Sequence, residues 1–178
     1  MKVSIVIPTY NEEKTIGECL DSLSRQSFRD FEIIIVDDGS TDRTMSVLSE
    51  LKIKNLKFKI LKQDHKGAGT ARNLGVKHAV GDILVFVDVD MTFAPDFIEK
   101  LIEPISGDPT LPERLRGARG TFSKEEYVLN WDNVWARCWN INEGWMEQRR
   151  HPKHYPDKQK LFRAILKSEL DRVGGFHP

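Results

Sequence analysis

Cysteine is scarce in this sequence, since Cys19 and Cys138 are the only two among 178 residues. They lie far apart, and neither belongs to a CxxC or histidine-rich motif, so free thiols in a reducing compartment are expected. Long apolar runs are also lacking, because no segment reaches the roughly 18 to 20 apolar residues that cross a bilayer. The start, MKVSIVIPTYNEE, has no small-residue cleavage site. We therefore expect a cytoplasmic protein whose first residues form a strand.

An excess of charge of either sign is absent too. Lys and Arg together number 27, and Asp and Glu together also number 27. Such a balance gives no general attraction to nucleic acid, so no nucleic-acid partner is expected and any recognition must be local. Hydrophobic residues make up 39% and charged residues 30% of the chain, which is typical of a globular domain rather than a disordered one.

The first hundred residues alternate short apolar runs with amphipathic segments. The apolar runs, expected to be strands, cover residues 3–7, 31–36, 58–61 and 83–87. The segment after the first run has apolar residues at spacings typical of one helical face, namely Ile16, Cys19, Leu20 and Leu23. Weaker helical faces follow, at Met45, Leu48 and Leu51 and at Ala71, Leu74 and His78 or Ala79. This alternation predicts an α/β fold with a mainly parallel sheet flanked by helices.

The composition changes after residue 103. Residues 104–120 are rich in proline, glycine and charge and fit neither a helix nor a strand period. Beyond them an aromatic stripe predicts a helix over residues 123–140, with Tyr127, Trp131, Trp135 and Trp139 at steps of four. Core packing alone would also explain that stripe. We expect one unit over residues 1–103 and a linker with a partial second unit over residues 104–178.

Polar residues follow three of the predicted strands directly. In a parallel sheet, ligands bind beyond the carboxyl ends of the strands, where these residues would meet. Pro8 and Tyr10 follow the first strand, and Asp37 and Asp38 follow the second. Asp88 and Asp90 follow the fourth strand. The sequence therefore predicts one acidic rim with an aromatic ring.

Asp88 and Asp90 are candidate ligands of a metal ion. Two carboxylates one residue apart after a buried strand need compensation for their charge. Mg²⁺ or Mn²⁺ prefers such oxygen ligands and uses one or two carboxylates together with substrate phosphates. An ion there could neutralise charge on a departing nucleoside diphosphate. A pair of loop acids that only support a turn is the alternative.

Other residues of the rim have candidate roles as well. Tyr10 could stack on a planar base, or be a surface aromatic at a strand end. One of Asp37 and Asp38 could accept a hydrogen bond from a base, while the other supports the turn before a helix capped by Ser40 or Thr41. Arg72 lies in KGAGTARN, where it could contact phosphate, and plain helix surface is its alternative.

Five motifs occur together in one order: VSIVIPTYNEE, IIIVDDGSTDRT, GAGTARNLG, GDILVFVDVD and VGGF. In this combination the sequence resembles the family-two glycosyltransferases of GT-A fold, densely over residues 1 to about 100 and loosely over 160–176. The resemblance implies a hexosyltransferase that uses a UDP-, GDP- or dTDP-sugar with Mn²⁺ or Mg²⁺ and inverts the anomeric centre.

The resemblance also implies roles for individual residues. Pro8 and Tyr10 would line the nucleoside pocket, and Asp38, with Asp37, would contact the base. Arg72 and Asp88 would lie at the nucleotide. Asp88 and Asp90 would form the metal-diphosphate motif, with Asp90 as the more direct ligand.

The general base is not identified, because relatives carry an acidic motif after the GlyGlyPhe segment and here the sequence reads only His177-Pro178 beyond Phe176. We expect it beyond Pro178, in a chain truncated at its C-terminus, with Glu143, Glu147 or Asp157 as substitutes. The expected acceptor is a glycan, a lipid-linked sugar or a polyprenyl phosphate. A basic segment could bind such an acceptor or the cytoplasmic face of a membrane, with a solvated loop as the alternative. Its residues are Arg149, Arg150, His151, Lys153, His154 and Lys158.

Competing functions remain at this stage. A donor-binding but catalytically inactive module is one. A nucleotidyltransferase is another, although it would have a glycine-rich basic loop where this sequence reads PTYNEE. A phospho-receiver domain is disfavoured because its acids follow the first and third strands rather than the second and fourth.

Overall fold

The protein is described by a computed structural model that covers residues 1–51, 56, 58–106, 118–121 and 163–176. Six strands and five helices lie in this described part of the chain. The strands are β1 (Val3–Thr9), β2 (Phe31–Asp37), β3 (Phe58–Lys62), β4 (Ile83–Phe86), β5 (Gly120–Thr121) and β6 (Ala164–Leu166). The helices are α1 (Ile16–Ser24), α2 (Thr44–Glu50), α3 (Ala68–His78), α4 (Phe97–Ser106) and α5 (Lys167–Arg172).

The strands form one mixed sheet with the order β3-β2-β1-β4-β6-β5. The first four strands are parallel, whereas β6 runs antiparallel to both β4 and β5. The strand order reverses direction at β1, because β2 lies on one side of it and β4 on the other. A crevice is expected at such a switch point, beyond the carboxyl ends of the two strands.

Both faces of the sheet are covered, which explains the unbroken apolar runs of the central strands. One core contains Ile5, Ile33 and Val85 with the buried sides of α1 and α4. The other contains Val6 and Phe86 with residues of α3 and α5. Alternate residues of each strand thus enter opposite cores, as a pleated strand requires.

The loop after β4 is attached to α1 by a fully buried glutamine. The Gln26 amide donates to the Ala94 carbonyl at 2.7 Å and accepts the Ile98 N–H at 2.9 Å. The neighbouring Ser22 hydroxyl accepts the Phe93 N–H at 3.2 Å. These bonds satisfy buried polar groups at this loop and fix its path just after Asp90.

The predicted α/β class and all four predicted strands are confirmed, with ends shifted by at most two residues. The face predicted for α3 is only partly right, because its buried residues are Ala71, Gly75 and Val76, while His78 is exposed. Residues 104–106 continue α4 rather than a loop. The predicted aromatic helix over residues 123–140 lies outside the described residues. No helix in the described ranges combines the length and the apolar character that a membrane span needs.

Candidate functional site

A cleft of ≈ 390 Å³ opens beyond the carboxyl ends of β1, β2 and β4. Its wall contains six of the seven residues that the sequence singles out, namely Pro8, Tyr10, Asp38, Arg72, Asp88 and Asp90. Segments that are distant in sequence therefore meet at one rim, as the strand ends predicted. Asp37 is not in the wall, because it is buried and its carboxylate accepts the Ser40 N–H at 3.2 Å. Its contact with a base stays a prediction.

Two neighbouring loops are joined on one side of the cleft. Asn11 adopts a left-handed backbone with φ of 56°. Its N–H donates to the Ser40 hydroxyl, and its side-chain oxygen accepts the N–H groups of Thr41 and Asp42. Asn tolerates this backbone better than most residues. The loop that carries Tyr10 is thereby held against the loop that follows β2.

The expected capping of α2 by Ser40 or Thr41 is wrong. The hydroxyl of Ser40 accepts the N–H of Asn11 instead. Asp42 Oδ1 accepts the N–H of Thr44 at 2.9 Å and so serves the first turn of the helix. Aspartate is as good a partner for an unpaired helical N–H as serine.

Asp38 organises the loop that precedes α3. Its carboxylate accepts the N–H groups of Lys66 and Gly67, each at 2.9 Å, and the side-chain amide of Gln63 at 2.6 Å. Burial raises the pKa of Asp38, but these hydrogen bonds and the nearby His65 outweigh it, so that the pKa lies below its ordinary value. The ionised carboxylate therefore holds the loop against the cleft.

An aromatic pair stands at the mouth of the cleft. The rings of Tyr10 and His65 lie 4.1 Å apart with an interplanar angle of 30°. His65 Nδ1 is 3.0 Å from Asp38 Oδ2, which orients its ring. Both rings are exposed. The pair offers a flat surface on which a planar ligand could stack.

Asp88 lies between two arginines. Arg72 Nη2 donates to Asp88 Oδ1 at 3.1 Å, and Arg163 Nη1 donates to Asp88 Oδ2 at 2.9 Å. Arg163 was not among the predicted site residues. The available signal was an arginine inside an apolar stretch, LFRAIL, since a cation in a buried strand requires a partner.

Glu12 is a further residue of the cleft wall that the sequence analysis missed. Burial raises its pKa above the ordinary value, and the negative charges of Asp90, Asp42 and Asp88 act in the same direction. A hydrogen bond from the Thr15 hydroxyl opposes this shift. Carboxylates are therefore concentrated on the side of the cleft near Glu12 and Asp90, where a cation would reduce their mutual repulsion. The sequence signal for Glu12 was its position in PTYNEE, two residues after Tyr10.

The segment that contains Phe176 is attached to α3 beside the cleft. The Asn73 side chain donates to the Phe176 carbonyl at 2.7 Å and accepts its N–H at 2.8 Å. The Phe176 ring packs edge-on against Phe86, with the Arg72 guanidinium 5.9 Å from its centre. This geometry supports an attraction between the cation and the ring. Arg72 is thus positioned from two sides.

Cys19 lies on the buried side of α1, and we expect its thiol to be inert in the folded protein. Burial raises its pKa to about 12, with the charges of Asp90, Asp88 and Glu12 adding to the effect. The thiolate is the reactive form, so labelling should be at least about a thousandfold slower than for an exposed thiol of ordinary pKa. Labelling of a Cys138→Ser variant with an aromatic disulfide measures Cys19 alone. A full equivalent should appear only in denaturant, and rapid labelling of the native protein would contradict the buried position.

Known proteins resemble the chain in sequence and in structure. TarS of Staphylococcus aureus, a poly(ribitol-phosphate) β-N-acetylglucosaminyltransferase, is 43% identical over 103 residues, which are 56% of this chain and 17% of TarS. The crystal structure of TarS 1–349 with UDP-GlcNAc matches 100% of this chain and 49% of its own, with a TM-score of 0.64 and 22% identity. The mannosyltransferase PcManGT of Pyrobaculum calidifontis, in complex with GDP-Man and Mn²⁺, matches with a TM-score of 0.65 and 24% identity over 99% of this chain and 47% of its own.

These structural matches establish the GT-A fold. The chain spans about a third or less of the length of the curated relatives it matches. The sequence model described as "Glycosyl transferase family 2" covers residues 4–177. Because that match takes in nearly the whole sequence, the chain belongs to glycosyl transferase family 2.

Proposed function

We propose that this chain binds the sugar donor of a glycosyltransferase that moves a hexose from a nucleoside diphosphate to an acceptor. The observation that carries the proposal is the meeting of Tyr10, Asp38, Arg72, Asp88 and Asp90 around one cleft. An aromatic surface, an arginine and a carboxylate rim match the base, the phosphates and a cation of a nucleotide sugar. Residues 1–103 would supply most of this surface, and residues 104–178 the linker and part of the acceptor side.

The charge of the cleft favours a divalent cation as part of the ligand. Four carboxylates line the wall, those of Glu12, Asp38, Asp88 and Asp90. Arg72 and Arg163 pair with Asp88, and His65 lies beside Asp38, so the excess of negative charge is at Glu12 and Asp90. A diphosphate alone would meet repulsion on the side of Asp90 and Glu12, where the pKa of Glu12 is already raised. A cation bound to both partners removes that repulsion.

The donor atoms present fit Mg²⁺ or Mn²⁺. Carboxylate oxygens are hard ligands, and the described residues contain no group of three His, Cys, Asp or Glu side chains that could hold an ion alone. Mg²⁺ and Mn²⁺ are held in this way by one or two carboxylates together with phosphate oxygens and water. Asp90 would hold the ion, with Asp88 beside it. When bound, the ion would stabilise negative charge on the departing diphosphate.

The other residues of the cleft would bind the base and the phosphates of the donor. Tyr10, stacked on His65, would bind the face of the base, with Pro8 beside it. Asp38 would contact the base or hold the loop that shapes its pocket, and Asp37 would support the turn. Arg72 would donate to the phosphates. These contacts orient the donor before the acceptor arrives, and inversion at the anomeric centre is the proposed outcome.

The names of the relatives support a choice of substrates. TarS is named for N-acetylglucosamine transfer to poly(ribitol-phosphate), and the structures hold UDP-GlcNAc or GDP-Man with Mn²⁺. We propose a UDP-, GDP- or dTDP-sugar as donor. A glycan, a lipid-linked sugar or a polyprenyl phosphate is the proposed acceptor, with the reaction in the cytoplasm or at the cytoplasmic face of a membrane.

Titration calorimetry of the full chain tests the proposal with UDP, GDP and dTDP, each in Mn²⁺ or in EDTA. We expect at least one nucleotide to bind about tenfold or more tightly with Mn²⁺, because the ion screens the diphosphate from the carboxylates. AMP, which lacks the diphosphate, serves as the control. Failure of all three nucleotides to bind would overturn the proposal. Release of free sugar from the matching nucleotide sugar would then distinguish a transferase from a binding module.

A further inference from the structure

The two arginines that hold Asp88 have different surroundings. Arg72 belongs to α3 and lines the cleft, whereas Arg163 precedes β6 and is not in the cleft wall. The side chain of Arg163 is only 10% exposed. Each arginine engages a different oxygen of the same carboxylate.

Arg163 is fixed by its backbone as well as by its side chain. Its N–H donates to the Thr121 carbonyl at 2.9 Å, and its carbonyl accepts the Phe86 N–H at 2.8 Å. The residue is therefore bonded to β4 and β5 at once, directly behind the segment that carries Asp88. The pairing of this buried guanidinium with a carboxylate offsets the cost of its desolvation.

Arg72 has donor capacity left over. Its Nε is buried and has no hydrogen-bond partner among the described residues, while its Nη2 donates to Asp88. A guanidinium has five N–H donors, and an unsatisfied buried donor is costly. The Arg72 side chain lines the cleft and is 15% exposed, so a ligand with oxygen acceptors could bind those of its N–H groups that face the cleft. Arg163 is thus the permanent partner of Asp88, and Arg72 is the partner that a ligand can share.

We propose that Arg163 is a positioning residue for the nucleotide site. It holds Asp88 in the cleft wall and carries part of that carboxylate's charge, which leaves the Arg72 guanidinium available to the diphosphate. Without Arg163, Asp88 would turn both oxygens to Arg72, and the two would form a closed ion pair with little left for phosphate. The inference rests on the proposed function of the cleft and adds a residue that does not itself touch the ligand.

Binding of UDP, GDP or dTDP with Mn²⁺ to Arg163→Met and Arg163→Lys tests the inference in the full chain. We expect Arg163→Met to weaken binding of the nucleotide that the parent prefers roughly 10- to 100-fold, as loss of an outer partner does at other sites. Arg163→Lys should lose less affinity because lysine keeps the positive charge. The recovery should be only partial, because lysine lacks the planar set of N–H donors of a guanidinium. Arg119→Met is the matched control, since its arginine pairs with Glu169 and is 68% exposed. It should bind as the parent does.

A double-mutant comparison separates positioning from general support of the fold. If Arg163 acts through Asp88, Arg163→Met should have no further effect once Asp88 is replaced by asparagine. Nucleotide titrations up to millimolar concentrations should then give Asp88→Asn and the double variant Asp88→Asn with Arg163→Met affinities within about twofold of each other. An equal loss in that background would overturn the inference, as would a folded Arg163→Met with parental affinity. Should Arg163→Met fail to fold, Arg163→Lys with and without Asp88→Asn gives the same comparison. A parent that binds no nucleotide overturns the proposed function itself.

Discussion

Replacement of Asp90 by asparagine is expected to abolish the gain in nucleoside diphosphate affinity that Mn²⁺ provides. Asparagine has nearly the same shape but offers a neutral oxygen, which is a weak ligand for a hard divalent ion. Loss of a residue that only supports a metal ligand lowers metal affinity or activity roughly 10- to 100-fold, so loss of a direct ligand should lower the affinity for Mn²⁺ about 100-fold or more. Calorimetry with and without Mn²⁺ gives the ratio of the two affinities, which should fall to about one.

The structure indicates that this variant will fold. Asp90 lines the cleft, while the loop beyond it is held by Ser22 and Gln26 rather than by the Asp90 carboxylate alone. Asp96→Asn is a matched control, because Asp96 follows in the same segment but pairs with Lys100 on the surface. The control should keep the full effect of Mn²⁺. Metal enhancement that survives in Asp90→Asn would mean that the ion binds elsewhere.

The positions of the strand ends could be predicted from the sequence for a physical reason. A parallel sheet covered on both faces needs continuous apolar runs, and the polar residues after such runs emerge at one edge. Tyr10, Asp38 and Asp90 were located in this way and do line one cleft. Their grouping depends only on strand direction, which the alternation of strands and helices sets.

Partners that come from distant segments could not be predicted. Arg163 is separated from Asp88 by 75 residues, and Asn73 from Phe176 by 103. A local apolar pattern reports which residues are buried but not which polar groups meet across the sheet. The antiparallel addition of β6 beside β4 brings Arg163 to Asp88, and no spacing in the sequence specified that pairing.

Hydrogen bonds to backbone groups could not be predicted either. The sequence pattern did not indicate that the Asp38 carboxylate accepts the N–H groups of Lys66 and Gly67, and its contact with a base stays a prediction. The cap of α2 was assigned to Ser40 or Thr41, whereas Asp42 bonds the Thr44 N–H. A buried loop N–H needs an acceptor within the protein, and several nearby carboxylates and hydroxyls could provide it. Which one does so depends on the exact path of the loop.

Replacement of Gly75 by alanine is expected to destabilise the fold by about 1 to 3 kcal/mol, the usual range for an added group in a packed core. A Cβ at this position would lie 2.4 Å from Val6 Cγ1 and 3.3 Å from Val36 Cγ2. Both neighbours are β-branched side chains in buried strands, with little freedom to turn away. Urea unfolding followed by circular dichroism measures the loss. Gly17→Ala is the matched control, since its Cβ would meet only Leu51 Cδ2 at 4.0 Å, and it should be neutral or stabilising by up to about 1 kcal/mol.

The same substitution should also weaken nucleotide binding in the cleft, because Gly75 allows α3 to lie close to β1. Arg72 and Asn73 precede it on that helix and bond to Asp88 and Phe176. A helix pushed outward by an added methyl group would move the Arg72 guanidinium from its position in the cleft wall, where it could contact phosphate. Nucleotide affinity of the folded Gly75→Ala protein should therefore fall, while that of Gly17→Ala should not. If Gly75→Ala is destabilised but keeps the parental nucleotide affinity, the added methyl group displaces β1 rather than α3. Close packing at this glycine would then contribute to stability without setting the position of Arg72.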